Sequence, residues 1–146
     1  MTEEMDLQTY LDNYQQTAVK KPARKNGRRR KRQENVVQAG IIDYLKMSPY
    51  IAWVRRHNSG KVKTEWGTWV ELGETGDADV FAMFSDAAGP AFAGRFLAVE
   101  VKDGDNEPTE AQWAFIHMVN DNGGVAFPAW SVDEVIDELA NRGILT

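Results

Sequence analysis

The sequence predicts an α/β protein with a central mixed sheet flanked by helices. Three observations carry this. A helical apolar stripe spans residues 33–47, followed by runs of β-branched and aromatic residues separated by Gly-rich turns. Two helical segments with Thr and Ser start signals then enclose one more strand. The order helix, three or four strands, helix, strand, helix is that of layered secondary structure around a sheet.

Taken in order, residues 2–16 suit a short amphipathic helix. Leu7, Tyr10, Leu11 and Tyr14 recur at i, i+3, i+4 and i+7, and Thr2 can cap the start. Such a helix can dock on the core or on a second subunit. A basic stretch follows, interrupted by Pro22, Asn26 and Gly27, and is read as an exposed mobile arm. Residues 1–32 thus form a helix and arm, and residues 33–146 the folded domain. In the helix expected over 33–47, Val37, Ile41, Tyr44 and Leu45 share one face. Strands are expected at 51–56, 68–72, 80–84 and 95–102, with a polar turn at 57–61 and a Gly-rich loop at 73–79. Thr109-x-x-Gln112 and Ser131-x-x-Glu134 both fit the capping box, in which side chain and backbone satisfy each other's orphan groups. The first of these helices stops at Gly123-Gly124, a strand spans 125–130, and the last helix covers 132–140.

The length of 146 residues fits one domain and an appendage, and the 42% apolar content supports a packed core. No window approaches the ~18 to 20 apolar residues of a membrane helix, so no membrane partner is expected. The acidic start Met1 to Asp6 lacks the apolar segment of a secretory signal. The absence of cysteine removes disulfides and thiolate zinc sites. These features together describe a soluble cytoplasmic protein.

A net charge of −5 hides a segregation. Nine Lys/Arg and no acid lie between Lys20 and Arg32, the last five being Arg28, Arg29, Arg30, Lys31 and Arg32. From Gln33 onward there are 8 basic and 18 acidic residues. A basic block on an acidic protein points to a polyanion partner; a solvated linker or a sorting signal is the plainer reading.

Glu100 and Lys102 share one face of an otherwise strongly apolar strand, about 6.6 Å apart along it. Burying an acid and a base there is costly unless they pair or meet a metal; a surface ion pair on an edge strand is the other reading. Asp79 ends the Gly-rich loop and opens the apolar run Val80 to Phe84. If that run pairs with residues 96–102, Asp79 and Glu100 converge, and with the Val101 carbonyl they form an all-oxygen site suited to Mg²⁺ or Mn²⁺. Asp77, one step further from the strand, reads as a turn residue. Glu34 falls on the stripe of Val37, Ile41 and Leu45. Either it sits favourably in the first turn against the helix dipole, or its carboxylate reaches the same metal. Arg55, Arg56, Lys61 and Lys63, around the turn Asn58-Ser59-Gly60, can grip phosphates or remain solvated. His57 and His117 are solitary and read as core or surface residues. Trp66, Trp69 and Trp113 are interface or core material.

Asp79 followed twenty-one residues later by Glu100-Val101-Lys102 resembles the PD-(D/E)XK nuclease signature. Further segments sharpen the likeness: Val54 to Gly60, Gly76 to Val80, Phe96 to Lys102, Pro108 to Phe115, Gly123 to Ala126 and Ser131 to Val135. In this order they resemble the small stand-alone VRR-NUC nucleases of phages and bacteria, over residues 34–139. Two positions before Asp79 the general signature has Pro where this chain has Asp77.

The resemblance implies a restriction-endonuclease-like fold and divalent-metal-dependent hydrolysis of DNA phosphodiesters in a bacterial or phage-infected cytoplasm. In related resolvases the substrate is a branched DNA such as a four-way (Holliday) junction, cut by a homodimer. Carried over by position, Asp79 and Glu100 bind Mg²⁺ or Mn²⁺ and Lys102 orients or activates the attacking water. Glu34 completes the acidic cluster, and Gln112 sits beside the site while also capping its helix. Arg55, Arg56, Ser59, Lys61 and Lys63 become DNA-contact candidates. The basic arm then offsets an acidic core that repels DNA: nine phosphate contacts correspond to a log–log salt slope of roughly −8. Action on flaps, ends or single strands, or non-catalytic nucleic-acid binding, are the alternatives.

Overall fold

A computed structural model of the chain describes residues 27–144, with side chains from Gln33 onward. The expected amphipathic helix at 2–16 and most of the basic arm lie outside the described residues. The first described helix, α1 (Gly27–Met47), begins six residues before Gln33. The helix thus starts earlier than the residue 33 expected, and Arg28 to Arg32 are helical backbone. After Gly27 no breaker occurs until Gly40, and Arg, Lys and Gln are good helix formers, so nothing local stops the helix at 33.

Six strands follow: β1 (Ile51–Arg56), β2 (Gly60–Lys63), β3 (Trp69–Leu72), β4 (Val80–Phe84), β5 (Phe96–Val101) and β6 (Val125–Ala129). Helices α2 (Glu110–Asp121) and α3 (Val132–Asn141) flank β6 in sequence. The main sheet has the order β1-β4-β5-β6. β4 pairs antiparallel with β1 and β5, whereas β6 runs parallel to β5, with α2 as the crossover. The protein is thus α/β with a mixed sheet and helices on both faces. Pro128, which cannot donate to a ladder, lies in an edge strand.

The two sheet faces carry separate cores. Val80, Ala82, Phe84, Leu97, Val99, Val101 and Phe127 pack with Ile41 and Leu45 of α1 and Val135 and Leu139 of α3. At Gly40, α1 approaches α3 so closely that an added Cβ would lie 3.2 Å from Val132. On the other face Ala98 and Ala126 pack with Ile116 and Val119 of α2, beside Phe81, Phe96, Trp113 and Phe115. Trp113 is thereby core material. In β1 a bulge between Ile51 and Trp53 turns both Ile51 and Val54 inward, breaking the alternation a regular strand would show.

The capping signals divide. Thr109 and Gln112 form the complete reciprocal box at the start of α2. At α3, Ser131 accepts from Glu134 N, but Glu134 Oε2 reaches one residue further back, to Trp130 N at 2.6 Å. Half of the expected second box is formed. The polar turn expected at 57–61 is shorter than read, because Gly60 to Lys63 pair with Trp69 to Leu72 in a separate two-stranded hairpin. No helix among the described residues is long and apolar enough to cross a membrane.

Candidate active site

Asp79 immediately precedes β4, and the antiparallel register pairs Val80 with Val99. One step outward, Asp79 stands opposite Glu100, and residues opposite one another in a ladder share a sheet face. That face is the one covered by α2, since Val80 and Val99 belong to the opposite core. Asp79 Oδ2 accepts a hydrogen bond from Val101 N at 2.9 Å, and Lys102 Nζ lies 3.1 Å from Glu100 Oε1. Glu100 and Lys102 are both buried, Glu100 to 1% exposure, so the edge-strand surface pair is not what forms. Lys102 N donates to Ala129 O on β6. In a planar trans peptide the preceding carbonyl points the other way, which aims the Val101 oxygen toward the β4 side where Asp79 sits.

The electrostatics follow from this crowding. Burial, reinforced by the facing Asp79 charge, pushes Glu100 up to about 8 against the pull of the Lys102 ammonium. Burial also raises Asp79, opposed by the Val101 amide, Lys102 and Arg56. Near neutral pH the two carboxyls therefore retain a proton between them. Glu100 Oε2 is buried with no amide, hydroxyl or ammonium donor beside it, so its partner is the carboxyl of Asp79. A carboxylate oxygen in that state has two remedies, a shared proton or a cation. Glu100 Oε2, the facing Asp79 and the Val101 carbonyl are hard oxygen donors of the kind Mg²⁺ and Mn²⁺ take.

Glu34 does not join them. Among the described residues no group of three His, Asp or Glu side chains is close enough to hold a metal. Glu34 stands on α1, which packs on the opposite sheet face; it is half-buried there, as its place on the apolar stripe implied. Gln112 is on α2, the helix that covers this face, and its Oε1 accepts from Thr109 N at 2.8 Å, so the capping role expected of it is formed. Arg56 is close enough to act on Asp79, while Arg55 Nη1 donates to Val54 O. Ser59, Lys61 and Lys63 are exposed along the turn and hairpin that leave β1.

Sequence reading missed the part played by His57. Its N donates to Asp79 O at 2.7 Å, its ring stacks on Phe81 at 4.1 Å, and Nε2 lies 2.9 Å from Asp77 Oδ2. Asp77 Oδ2 also accepts from Glu74 N, so Asp77 is the turn residue expected. His57 is the residue after β1 in the register that places Asp79 before β4, a signal invisible until the pairing is known. Asp103, also buried, accepts from Asn106 Nδ2 and shapes the exit from β5. Gly76, at φ +95°, lets the Asp79 loop touch the first turn of α2: an added Cβ would stand 2.5 Å from Ala111 O. His117 pairs with Asp121 along α2, a surface role. No protein-family model, curated protein or solved structure gives a significant match to the chain.

Proposed function

We propose that the chain is a divalent-metal-dependent, structure-selective DNA endonuclease with a VRR-NUC-like PD-(D/E)XK core, and that it resolves four-way junctions as a homodimer. The observation that carries this reading is the pair of facing carboxyls, Glu100 buried and Asp79 half-buried, with the Lys102 ammonium 3.1 Å from Glu100 Oε1. Two carboxyls facing each other beside one ammonium are costly to ionise together, and a divalent cation would offset that cost.

Asp79, Glu100 and the Val101 carbonyl are the residues to hold Mg²⁺ or Mn²⁺. When bound, the ion neutralises a phosphodiester oxygen and lowers the pKa of an attacking water. Glu100 would hold the ion as the carboxylate, its proton being released to solvent on binding. Lys102, held by Glu100, presents positive charge where the transition state gathers negative charge. Arg56 stands near enough to Asp79 to meet a flanking phosphate. Arg55, Lys61, Lys63 and the basic residues up to Arg32 add phosphate contacts that the acidic core lacks. Two copies related by a two-fold axis present two such sites to the symmetric strands of a junction.

A second reading, a nucleic-acid-binding module without catalysis, draws on the presence of two rather than three acidic groups at the site among the described residues. One experiment separates the two. Junction, flap, nicked and linear duplex DNAs are incubated with the full chain, with Mn²⁺ and with EDTA, beside Asp79→Asn and Glu100→Gln. The nuclease reading expects Mn²⁺-dependent cuts, strongest on the junction, lost in both variants while DNA binding persists. Binding without cutting under every metal condition leaves the non-catalytic module.

A further inference from the structure

Apart from Lys61 and Lys63, the hairpin of β2 and β3 has no role in the site described above, and its surface is unusual. All eight of its strand residues are exposed. Pairing sets Lys61 opposite Glu71 and Lys63 opposite Trp69, with Val62 opposite Val70 on the reverse face. At the tip Trp66 is 84% exposed, and Trp69 is 63% exposed. Solvent-facing Trp at this density marks a contact surface rather than ordinary scatter.

An isolated two-stranded ribbon is marginal in water, so the way this one is braced matters. At its base Asp77 Oδ2 holds Glu74 N and His57 Nε2, and Gly73, at φ +60°, passes so near that a Cβ would lie 2.8 Å from His57 Nε2. At its tip Thr64 N donates to Thr68 O, Gly67 N to Thr64 O and Thr68 N to Thr64 Oγ1. The ribbon is pinned at both ends, and its root adjoins Asp79 through the His57 amide. The three residue steps of β2 from Gly60 to Lys63 span roughly 10 Å at ~3.3 Å each, or about three nucleotides along a strand at ~3.4 Å, with Trp66 in the turn beyond.

We propose that hairpin 60–72 is a base-stacking wedge. Trp66 and Trp69 stack on the base faces laid open at a DNA branch point, and Lys61 and Lys63 take the adjoining phosphates. The proposal rests on the nuclease reading and deepens it, naming exposed bases at a branch as the feature selected. Indole faces with lysines between them match a base-and-phosphate ligand, because every base offers a π-face and every linkage an anion. Lys63 directly across from Trp69 is that combination in one cross-strand pair.

The test compares the wild type with Trp66→Ala, Trp69→Ala and Trp66→Phe. Each is titrated in Ca²⁺ against a four-way junction carrying 2-aminopurine at the branch and against a linear duplex of the same sequence. The wedge expects junction binding to fall by roughly 5- to 150-fold in each Ala variant, with duplex binding within about twofold. It also expects 2-aminopurine quenching to be lost in the Ala variants and kept in Trp66→Phe. Equal loss on both DNAs, or none on either, overturns the wedge while Mn²⁺ cleavage by the wild type sustains the nuclease. Dissociation of a dimer by Trp66→Ala on sedimentation, with junction preference unchanged, assigns the hairpin to a second copy and also overturns it. Selective junction loss in a protein that never cuts supports the wedge and sinks the nuclease reading instead.

Discussion

Replacing Glu100 with Gln should make the protein more stable at neutral pH and inactive. Glu100 titrates near 4.5 when unfolded and at about 8 in the fold, where burial and the Asp79 charge disfavour its ionised form. Between those values the native state holds a proton that the unfolded chain has released. Stability therefore declines as pH rises through this window and levels off above about 8. Integrated from pH 4.5 to 7 at ~1.36 kcal/mol per unit, the loss is about 3 kcal/mol. Gln keeps an oxygen for Lys102 Nζ and brings an N–H for Asp79, with no proton to lose. Thermal and urea unfolding of both proteins at pH 5 and pH 7.5 in EDTA should show near-equal stability at the lower pH. At the higher pH the variant should lead by about 3 kcal/mol, roughly 10 °C in Tm. Mn²⁺ should narrow the gap by stabilising the wild type alone. Parallel pH profiles, or a variant weaker at pH 7.5, would refute the buried-acid reasoning.

Lys102→Met removes the ammonium that offsets Glu100's charge, so it should destabilise more at pH 8 than at pH 5, by about 1–3 kcal/mol at the higher value; urea midpoints at the two pH values check this. Gly76→Ala forces an L-residue to φ +95° and a Cβ against Ala111 O. A loss of about 1–3 kcal/mol in thermal unfolding is expected, with Mn²⁺-dependent cleavage falling as the Asp79 loop leaves α2. Replacing the nine arm cations with Gln should flatten the salt dependence of DNA binding from a log–log slope of roughly −8 toward that of the few core cations, read by anisotropy from 50 to 300 mM salt.

Every strand but β2, the α2 capping box and the Asp79/Glu100 convergence were legible because each rests on a short-range rule. Alternation places Glu100 and Lys102 on one face, and Thr109 and Gln112 sit at the box spacing. Glu34 shows where such rules stop. A helical wheel says which way a side chain points on its own helix, not which face of the sheet that helix covers. The register of 57 against 79, which seats His57 beside Asp79, is likewise a pairing between distant segments.

By itself the chain's pattern determined the mixed α/β layering, the segregated charge and the identity of an acid–acid–lysine set, since periodicity and composition are local properties. Tertiary structure alone decided that Glu100 and Lys102 are buried there, that His57 is seated beside Asp79, and that hairpin 60–72 stands out with its Trp side chains in solvent. Burial and pairing are sums over residues far apart in sequence, and only the folded chain performs them.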